Sequence, residues 1–458
     1  MTDRKRKTIG TASFILLLAI SAFACFYHSD RPASNGHDIN LGDTAWMLTA
    51  SAMVLIMTPG LSFFYGGMVN PKNIISTMLQ SFMALGIISI IWYMFGFSLA
   101  FGDSIGGIIG NPSTYFMMNH VGTAPNAILS PTIPFIIFAA FQMKFAIITP
   151  AIITGSFAER VRFGGYIIFM CLFSVLIYCP IAHWTWHPDG FLHKWGVLDF
   201  AGGTVVHISA GVAALAGAIF MGKRRDKNIE TPSIPYVLLG TGLLWFGWFG
   251  FNAGSALGAN TFAAQAFVTT NLASATSMIT WLIYDGMQGK KPSTMGACVG
   301  AVVGLVAITP AAGYVDFGAS IFIGFVASVV CNWAVHLKSK SDIDDTLDVF
   351  PCHGIGGIIG MIATGIFARE VGLVNGQWHT FLYHLLALVI VVTFTFFGSL
   401  FIYWLTNLIT PLRVTIQEEQ VGLDISQHAE SIFGNLAHNI RHDKPLNHDR
   451  EKMTEEFA

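Results

Sequence analysis

Windows of roughly 20 consecutive apolar residues recur along the chain, and this is the length that an α-helix needs to cross a bilayer. The runs are too long, and alternate too little, to be strands of a membrane barrel. The pattern therefore predicts an all-α polytopic membrane protein with eleven transmembrane helices. We place them near residues 48–68, 76–101, 132–157, 164–183, 203–221, 236–254, 262–284, 295–309, 317–335, 353–368 and 382–409.

The overall composition agrees with a membrane environment. Of the 458 residues, 53% are hydrophobic and only 11% are charged, and the mean hydropathy is +0.60. A water-soluble core of this size could not bury so much apolar surface, so the lipid bilayer is the expected solvent. The near balance of 24 Lys and Arg against 26 Asp and Glu argues against a nucleic-acid partner.

The N-terminus has the pattern of a secretory signal peptide over residues 1–24. Four basic residues at 4–7 precede about thirteen mostly apolar residues, and Ala22-Phe23-Ala24 forms a small-x-small cleavage site. A retained, rather short first helix is the alternative; a lipoprotein attached through Cys25 fits the preceding residues poorly. A bacterial signal of this kind places the mature N-terminus outside the cell and the protein in the inner membrane.

The basic residues test the helix count through the positive-inside rule. With an external N-terminus, the loops between spans that face outward carry only Lys194 and Arg369. A miscounted span would scramble this separation, so the charges support a membrane domain at 42–410 and a cytoplasmic tail at 411–458. The internal loops and the start of the tail carry twelve, namely Lys72, Arg160, Arg162, Lys223, Arg224, Arg225, Lys227, Lys290, Lys291, Lys338, Lys340 and Arg413.

Two histidines in Gly-rich apolar segments, His207 and His353, are the main candidates for function. Five spans lead to each of them, so the halves run in opposite directions as two inverted five-helix repeats, with the eleventh helix left over. A full charge at membrane depth costs about 2.5–3.5 kcal/mol, so an ionisable residue there usually faces a partner, a cavity or a path. Hydropathy puts His353 near the start of its span, and only an irregular backbone would bring it level with His207.

The sequence resembles the ammonium transporter/methylammonium permease branch of the ammonium transporter and Rhesus superfamily from about residue 42 to about residue 430. The most specific strings are LDFAGGTVVHISAG, WFGFNAGSALGAN, FQMKFAIITPAIITGSFAERVRF, PIAHWTW and DVFPCHGIGGIIG. The resemblance implies an eleven-helix inverted-repeat fold, a homotrimer with one pore per subunit, and conduction of ammonium or its ammonia equivalent. It implies a transporter and no enzyme, cofactor or metal centre.

The resemblance also assigns roles to seven residues on matching strings. It implies a stacked aromatic gate, an external recruitment site, an acidic residue that supports that site, and a pair of pore histidines. In that order they are Phe145 and Phe251; Trp186 and Ser255; Asp199; and His207 and His353. In the tail, LRVTIQEEQVGLDISQHAESIF resembles the cytoplasmic segment that, in bacterial members, supports inhibition by a PII-type signalling protein.

The chemistry of these residues suits ammonium. A hydroxyl such as that of Ser255 and aromatic faces such as Trp186 and Phe145 can replace the hydration of a cation, each cation–π contact contributing about 0.5–2 kcal/mol. A bare ion cannot cross a dry pore cheaply, but ammonium can give up a proton and potassium cannot. Histidine, with an ordinary pKa of about 6.5, exchanges protons near neutrality. We therefore expect deprotonation at or below the gate.

Two other functions stay open at this point. An ammonium sensor would share the recruitment site, and a transmembrane electron carrier could use His207 and His353 as axial haem ligands. Lys144, one residue before the expected gate, would repel ammonium if it faced the pore. Adjacent residues of a helix point about 100° apart, so we expect it to face away.

Overall fold

The computed structural model describes residues 3–226 and 233–432. Residues 1 and 2 of the predicted signal peptide, Lys227, and residues 433–458 of the predicted tail lie outside these ranges. The α-helices are α1 Asp3–Phe26, α2 Leu41–Gly66, α3 Ile74–Ile91, α4 Phe97–Phe101, α5 Phe135–Ile153, α6 Phe163–Phe173, α7 Cys179–Trp186, α8 Phe191–Lys194, α9 Ser209–Met221, α10 Ile234–Gly254, α11 Thr261–Met287, α12 Thr294–Ile308, α13 Phe317–Ser339, α14 Gly356–Phe367, α15 Trp378–Ile409 and α16 Ile416–Val421.

Shorter elements join or interrupt these helices. Two small antiparallel hairpins pair β1 Ser104–Ile105 with β2 Ile109–Gly110 and β3 Pro125–Asn126 with β4 Ser130–Pro134. The 3-10 turns are Pro71–Asn73, Phe116–Met118, Thr154–Phe157 and Leu373–Asn375. The π-helical segments are Trp92–Gly96, Ser174–Tyr178, Gly203–Ile208, Phe350–Ile355 and Asp424–His428.

The prediction of a polytopic helical membrane protein is confirmed. Eleven helices among the described residues are long and apolar enough to cross a membrane, and this number includes Lys7–Phe26 near the N-terminus. The predicted window at 295–309 corresponds to Thr294–Ile308, which has only 15 residues. With the N-terminal helix set aside and this shorter helix included, the spans match the eleven predicted windows one for one.

The loops divide between two faces of the molecule. We call the face with residues 102–134 and 187–202 the loop face, and the face with residues 222–226, 340–349 and 411–432 the tail face. Helices α2 and α10 approach closely at Gly240, where an added Cβ would lie only 2.3 Å from Phe64 N. Small residues such as glycine let membrane helices pack this closely.

The two histidine segments start from opposite faces and meet in the middle. Each begins with a π-helical turn, Gly203–Ile208 before α9 and Phe350–Ile355 before α14. The segments touch at Gly211, where an added Cβ would lie 2.1 Å from Gly354 N. The irregular backbone expected around His353 is therefore present, although it takes the form of a π turn in both segments.

Ion pairs hold the tail face together. Arg224 bridges Glu159 at 2.7 Å and Asp344 at 3.0 Å, and Arg162 binds Glu418 of α16 at 2.9 Å. Beside them, Asp345 is fully buried and accepts a hydrogen bond from Phe350 N at 2.7 Å, at the start of the second histidine segment. Burial, reinforced by the nearby Asp348 carboxylate, raises the pKa of Asp345 to about 6.

The Gly211–Gly354 crossing gives a prediction about packing. Gly211→Ala should lower the free energy of unfolding by about 1–3 kcal/mol or more, because the new methyl group would have to push two backbones apart. Gly242→Ala is the matched control, since a Cβ there would have no neighbour within 4 Å among the described residues. Thermal unfolding in detergent measures the difference, and equal midpoints for the two variants would contradict the crossing.

The raised pKa of Asp345 gives a prediction about pH. The folded-state pKa of about 6 exceeds the ordinary value of about 3.9, so the folded protein holds this proton more tightly than the unfolded chain. Its contribution to stability is therefore complete below about pH 4 and is lost as the pH rises towards 6. As the pH falls from 7 to 5, the thermal midpoint of the wild type should therefore rise relative to that of Asp345→Asn. Midpoints that change in parallel in the two proteins would contradict this.

Candidate functional site

His207 and His353 lie side by side in the interior. Their Nδ1 atoms are 3.3 Å apart and their rings are inclined by 30°. The side chains are almost completely inaccessible, with 1% and 4% of their surface exposed. One imidazole must donate and the other accept, because a hydrogen bond between two Nδ1 atoms contains a single proton.

Two phenylalanines stack between this pair and the loop face. The ring centroids of Phe145 and Phe251 are 4.2 Å apart with an angle of 29° between the planes. Trp186 meets the edge of Phe145 at 5.7 Å on one side, and His207 lies 6.0 Å from Phe251 on the other. The order from the loop face inward is therefore Trp186, the phenylalanine pair and the histidine pair.

A narrow cavity runs along the histidines behind the stacked rings. Its volume is about 10 Å³, which is room for about one water-sized molecule, and its walls are almost entirely apolar. Lys144 is half-buried and does not line this cavity. The lining residues are Met57, Leu61, Phe64, Ile148, Ile152, Val206, His207, Leu244, Trp248, Phe251, Val302 and His353.

Asp199 anchors the start of the first histidine segment. Its carboxylate accepts hydrogen bonds from the backbone N–H groups of Gly202, Gly203 and Thr204 at 2.6–2.8 Å, and from the Thr204 hydroxyl at 2.5 Å. Gly202 has φ +117°, a conformation that favours glycine. The hydrogen bonds of the carboxylate are thus taken up by the start of the segment. The main-chain oxygen of Asp199 accepts a separate hydrogen bond from Trp186 Nε1 at 3.1 Å.

Trp186 and Ser255 are the half-exposed members of the predicted set. Ser255 follows α10, one helical turn beyond Phe251, and its hydroxyl donates to the Phe251 carbonyl at 2.8 Å. The hydroxyl oxygen keeps its lone pairs for another donor. The structure therefore places both side chains on the loop-face side of the stacked rings.

Two other buried histidines, His183 and His384, have both ring nitrogens engaged. His183 contacts the Ala100 carbonyl and the Ser104 hydroxyl, and His384 contacts the Met361 carbonyl and Leu198 N–H. They therefore pack as structural groups. In contrast, His353 Nε2 has no hydrogen-bond partner within the described part of the chain.

Two residues at the site were not predicted. Trp248 stacks on His207 at 5.4 Å and 17°, and Thr309 Oγ1 lies 3.3 Å from His207 Nε2. Trp248 could have been found, because it precedes Phe251 by three residues and shares its helix face. Thr309 gave no such signal, since a threonine at the end of an apolar span is most simply a helix terminus.

The geometry is unsuitable for haem. Axial ligation would require a porphyrin plane between the two imidazoles, whereas their Nδ1 atoms bond directly to each other at 3.3 Å. No cluster of three or more His, Cys, Asp or Glu suitable for a metal ion occurs in residues 3–226 and 233–432. The electron-carrier alternative therefore has no structural support.

The role of Asp199 as a backbone anchor is testable. Asp199→Ala should cost at least about 1–3 kcal/mol of stability, because it leaves buried N–H groups without an acceptor. Asp316→Ala is the control, since Asp316 begins α13 without a side-chain cap and is exposed. Comparable thermal midpoints for the two variants would show that Asp199 does not anchor the segment.

Comparison with known proteins identifies the family. The chain matches the Ammonium Transporter Family over residues 45–433. A putative ammonium transporter of Methanothermobacter thermautotrophicus is 46% identical over 403 residues, covering 86% of this chain and 98% of the relative. The ammonium transporter of Bacillus subtilis is 45% identical over 407 residues, covering 86% and 99%.

Solved structures agree with this result. The crystal structure of Candida albicans Mep2 superposes with a TM-score of 0.78 at 36% identity, covering 83% of this chain and 88% of that one. Mep2 and the two curated relatives each share most of their length with this chain. The chain therefore belongs to the ammonium transporter family, a family of multi-pass membrane transporters rather than enzymes.

Proposed function

We propose that this protein recruits ammonium at Trp186 and Ser255, removes a proton at or below the Phe145–Phe251 pair, and conducts ammonia past His207 and His353. The observation that carries the proposal is the directly bonded histidine pair in a buried apolar cavity behind two stacked rings. Ammonium transport itself follows from the family and from the names of the curated relatives.

The recruitment step uses the two half-exposed side chains. The indole face of Trp186 attracts a cation by about 0.5–2 kcal/mol, and the Ser255 oxygen accepts an N–H that water would otherwise accept. Asp199 stays outside this step, because its carboxylate is taken by three backbone N–H groups and a hydroxyl. An acid directly in the path would hold the cation too tightly for release.

The gate and the cavity support the proposed selectivity for ammonium over potassium. Phe145 and Phe251 are 1% and 0% exposed, and the space behind them is lined mainly by apolar side chains. The free energy of moving an unpaired ion into such apolar surroundings is far larger than the stabilisation that any single contact provides. Ammonium escapes this cost by leaving a proton behind, whereas potassium has nothing to release.

The histidines supply the polar contact that an uncharged ammonia still needs. Their shared hydrogen bond fixes both rings, and both histidines line the cavity.

We further propose that the tail face is cytoplasmic, the loop face external, and the location a bacterial inner membrane. The basic residues support this orientation, because among the described interspan loops all but Lys194 and Arg369 lie on the tail face. From the family resemblance we also propose a homotrimer, with the 411–432 segment as a docking area for a PII-type protein.

Cleavage of residues 1–24 is part of the proposal. Helix α1 is exposed along most of its length. The chain from Asp30 onward is held independently, because Asp30 and Pro32 bond to the backbone of His120 and Ala124 at 2.6 and 3.0 Å. Loss of α1 would therefore leave the new N-terminus attached to the loop face.

Three substitutions test the site in purified protein reconstituted in liposomes. His207→Ala should abolish or redirect selectivity, and Phe251→Ala should impair conduction. Trp186→Leu should weaken the apparent affinity about 2- to 30-fold, which is the equivalent of one cation–π contact. Uptake of labelled methylammonium measures all three.

Phe249→Ala is the matched control for Phe251→Ala. Phe249 lies on the same helix and also stacks at 4.2 Å, but on Phe267 and away from the cavity. The account requires near wild-type uptake for this control. Unchanged uptake in His207→Ala, Phe251→Ala and Trp186→Leu together would refute the assignment of the site.

A further inference from the structure

Thr309 lies immediately beyond the end of α12 and beside the histidine pair. Its hydroxyl oxygen has three hydrogen-bonding neighbours: the Leu305 carbonyl at 2.8 Å, Trp248 Nε1 at 3.0 Å and His207 Nε2 at 3.3 Å. Thr309 is completely buried. These three contacts therefore determine which way its single proton points.

The proton of the Thr309 hydroxyl belongs to Leu305. A hydroxyl has one proton to donate and two lone pairs, an indole N–H only donates, and a carbonyl only accepts. The Leu305 carbonyl is free to accept, because α12 ends at Ile308 and Thr309 N–H donates to Val306 instead. The Thr309 hydroxyl therefore donates its proton to the Leu305 carbonyl and uses one lone pair to accept from Trp248 Nε1. Only a lone pair remains for His207, so His207 Nε2 must donate to Thr309.

This assignment propagates through the pair. A neutral His207 with its proton on Nε2 has a bare Nδ1. His353 Nδ1 must then be the donor across the 3.3 Å contact, which leaves His353 Nε2 bare. That atom has no hydrogen-bond partner among the described residues, and His353 lines the cavity.

We infer that Thr309 is a positioning residue that fixes the tautomers of both histidines, so that His353 Nε2 is the lone pair that receives an N–H of ammonia in the cavity. The identity of the ligand, an uncharged N–H donor, rests on the proposed function. The assignment of the two tautomers does not depend on it. In this arrangement His207 orients its neighbour and offers no ring nitrogen of its own to the substrate.

Nitrogen-15 NMR of histidine-labelled protein in lipid tests the tautomers directly. Signals are assigned by their loss in His207→Gln and His353→Gln. In the wild type we expect a proton on Nε2 of His207 and on Nδ1 of His353. Thr309→Val, which keeps the shape and removes the acceptor, should reduce the tautomer ratio about two- to tenfold, the effect of one hydrogen bond.

Two further variants separate positioning from packing. Thr309→Ser keeps the hydroxyl and should restore the wild-type ratio. Thr364→Val removes another fully buried hydroxyl, which bonds to the carbonyl four residues earlier at 2.8 Å, and should leave the ratio unchanged. Methylammonium uptake should fall in Thr309→Val and not in these two controls.

A wild-type His207 with its proton on Nδ1 would overturn the inference, even if Thr309→Val did not fold. An unchanged ratio in folded Thr309→Val would also overturn it. If the NMR result is as expected but His207→Ala and His353→Gln transport normally, the positioning role of Thr309 stands and the proposed conduction path fails.

Discussion

A direct hydrogen bond between two imidazoles in an apolar interior is the constraint on which the rest of the site depends. The bond requires His207 and His353 to be held with their Nδ1 atoms 3.3 Å apart. Water-facing histidines would protonate near neutrality and repel each other, whereas burial favours the uncharged forms that can share one proton. The stacked phenylalanines and the apolar cavity walls maintain that burial on two sides.

The fold brings the two rings together by crossing two short helical segments that start from opposite faces. Each start is anchored by a buried carboxylate: Asp199 accepts N–H groups before α9, and Asp345 accepts Phe350 N–H before α14. The close approach of Gly211 and Gly354 then sets the separation of the segments.

Hydropathy and charge were sufficient to predict most of the fold. The eleven windows correspond to eleven helices because a bilayer leaves the backbone almost no other way to satisfy its hydrogen bonds. The sequence could not show that His353 would reach His207, since the contact depends on the π turn at Phe350–Ile355 and on the close approach of Gly211 and Gly354, which are tertiary features. Phe145 and Phe251 would have been ordinary core residues without the strings around them. Thr309 was missed because its importance lies in three contacts that no local pattern encodes.

The central claim is that only a solute able to lose a proton passes the histidine cavity. The most direct measurement is solid-supported membrane electrophysiology on proteoliposomes that receive an ammonium jump and, separately, an equal potassium jump. The account predicts that potassium moves no charge through the wild-type protein. A potassium current carried by the wild-type protein, absent from liposomes without protein, would contradict the account.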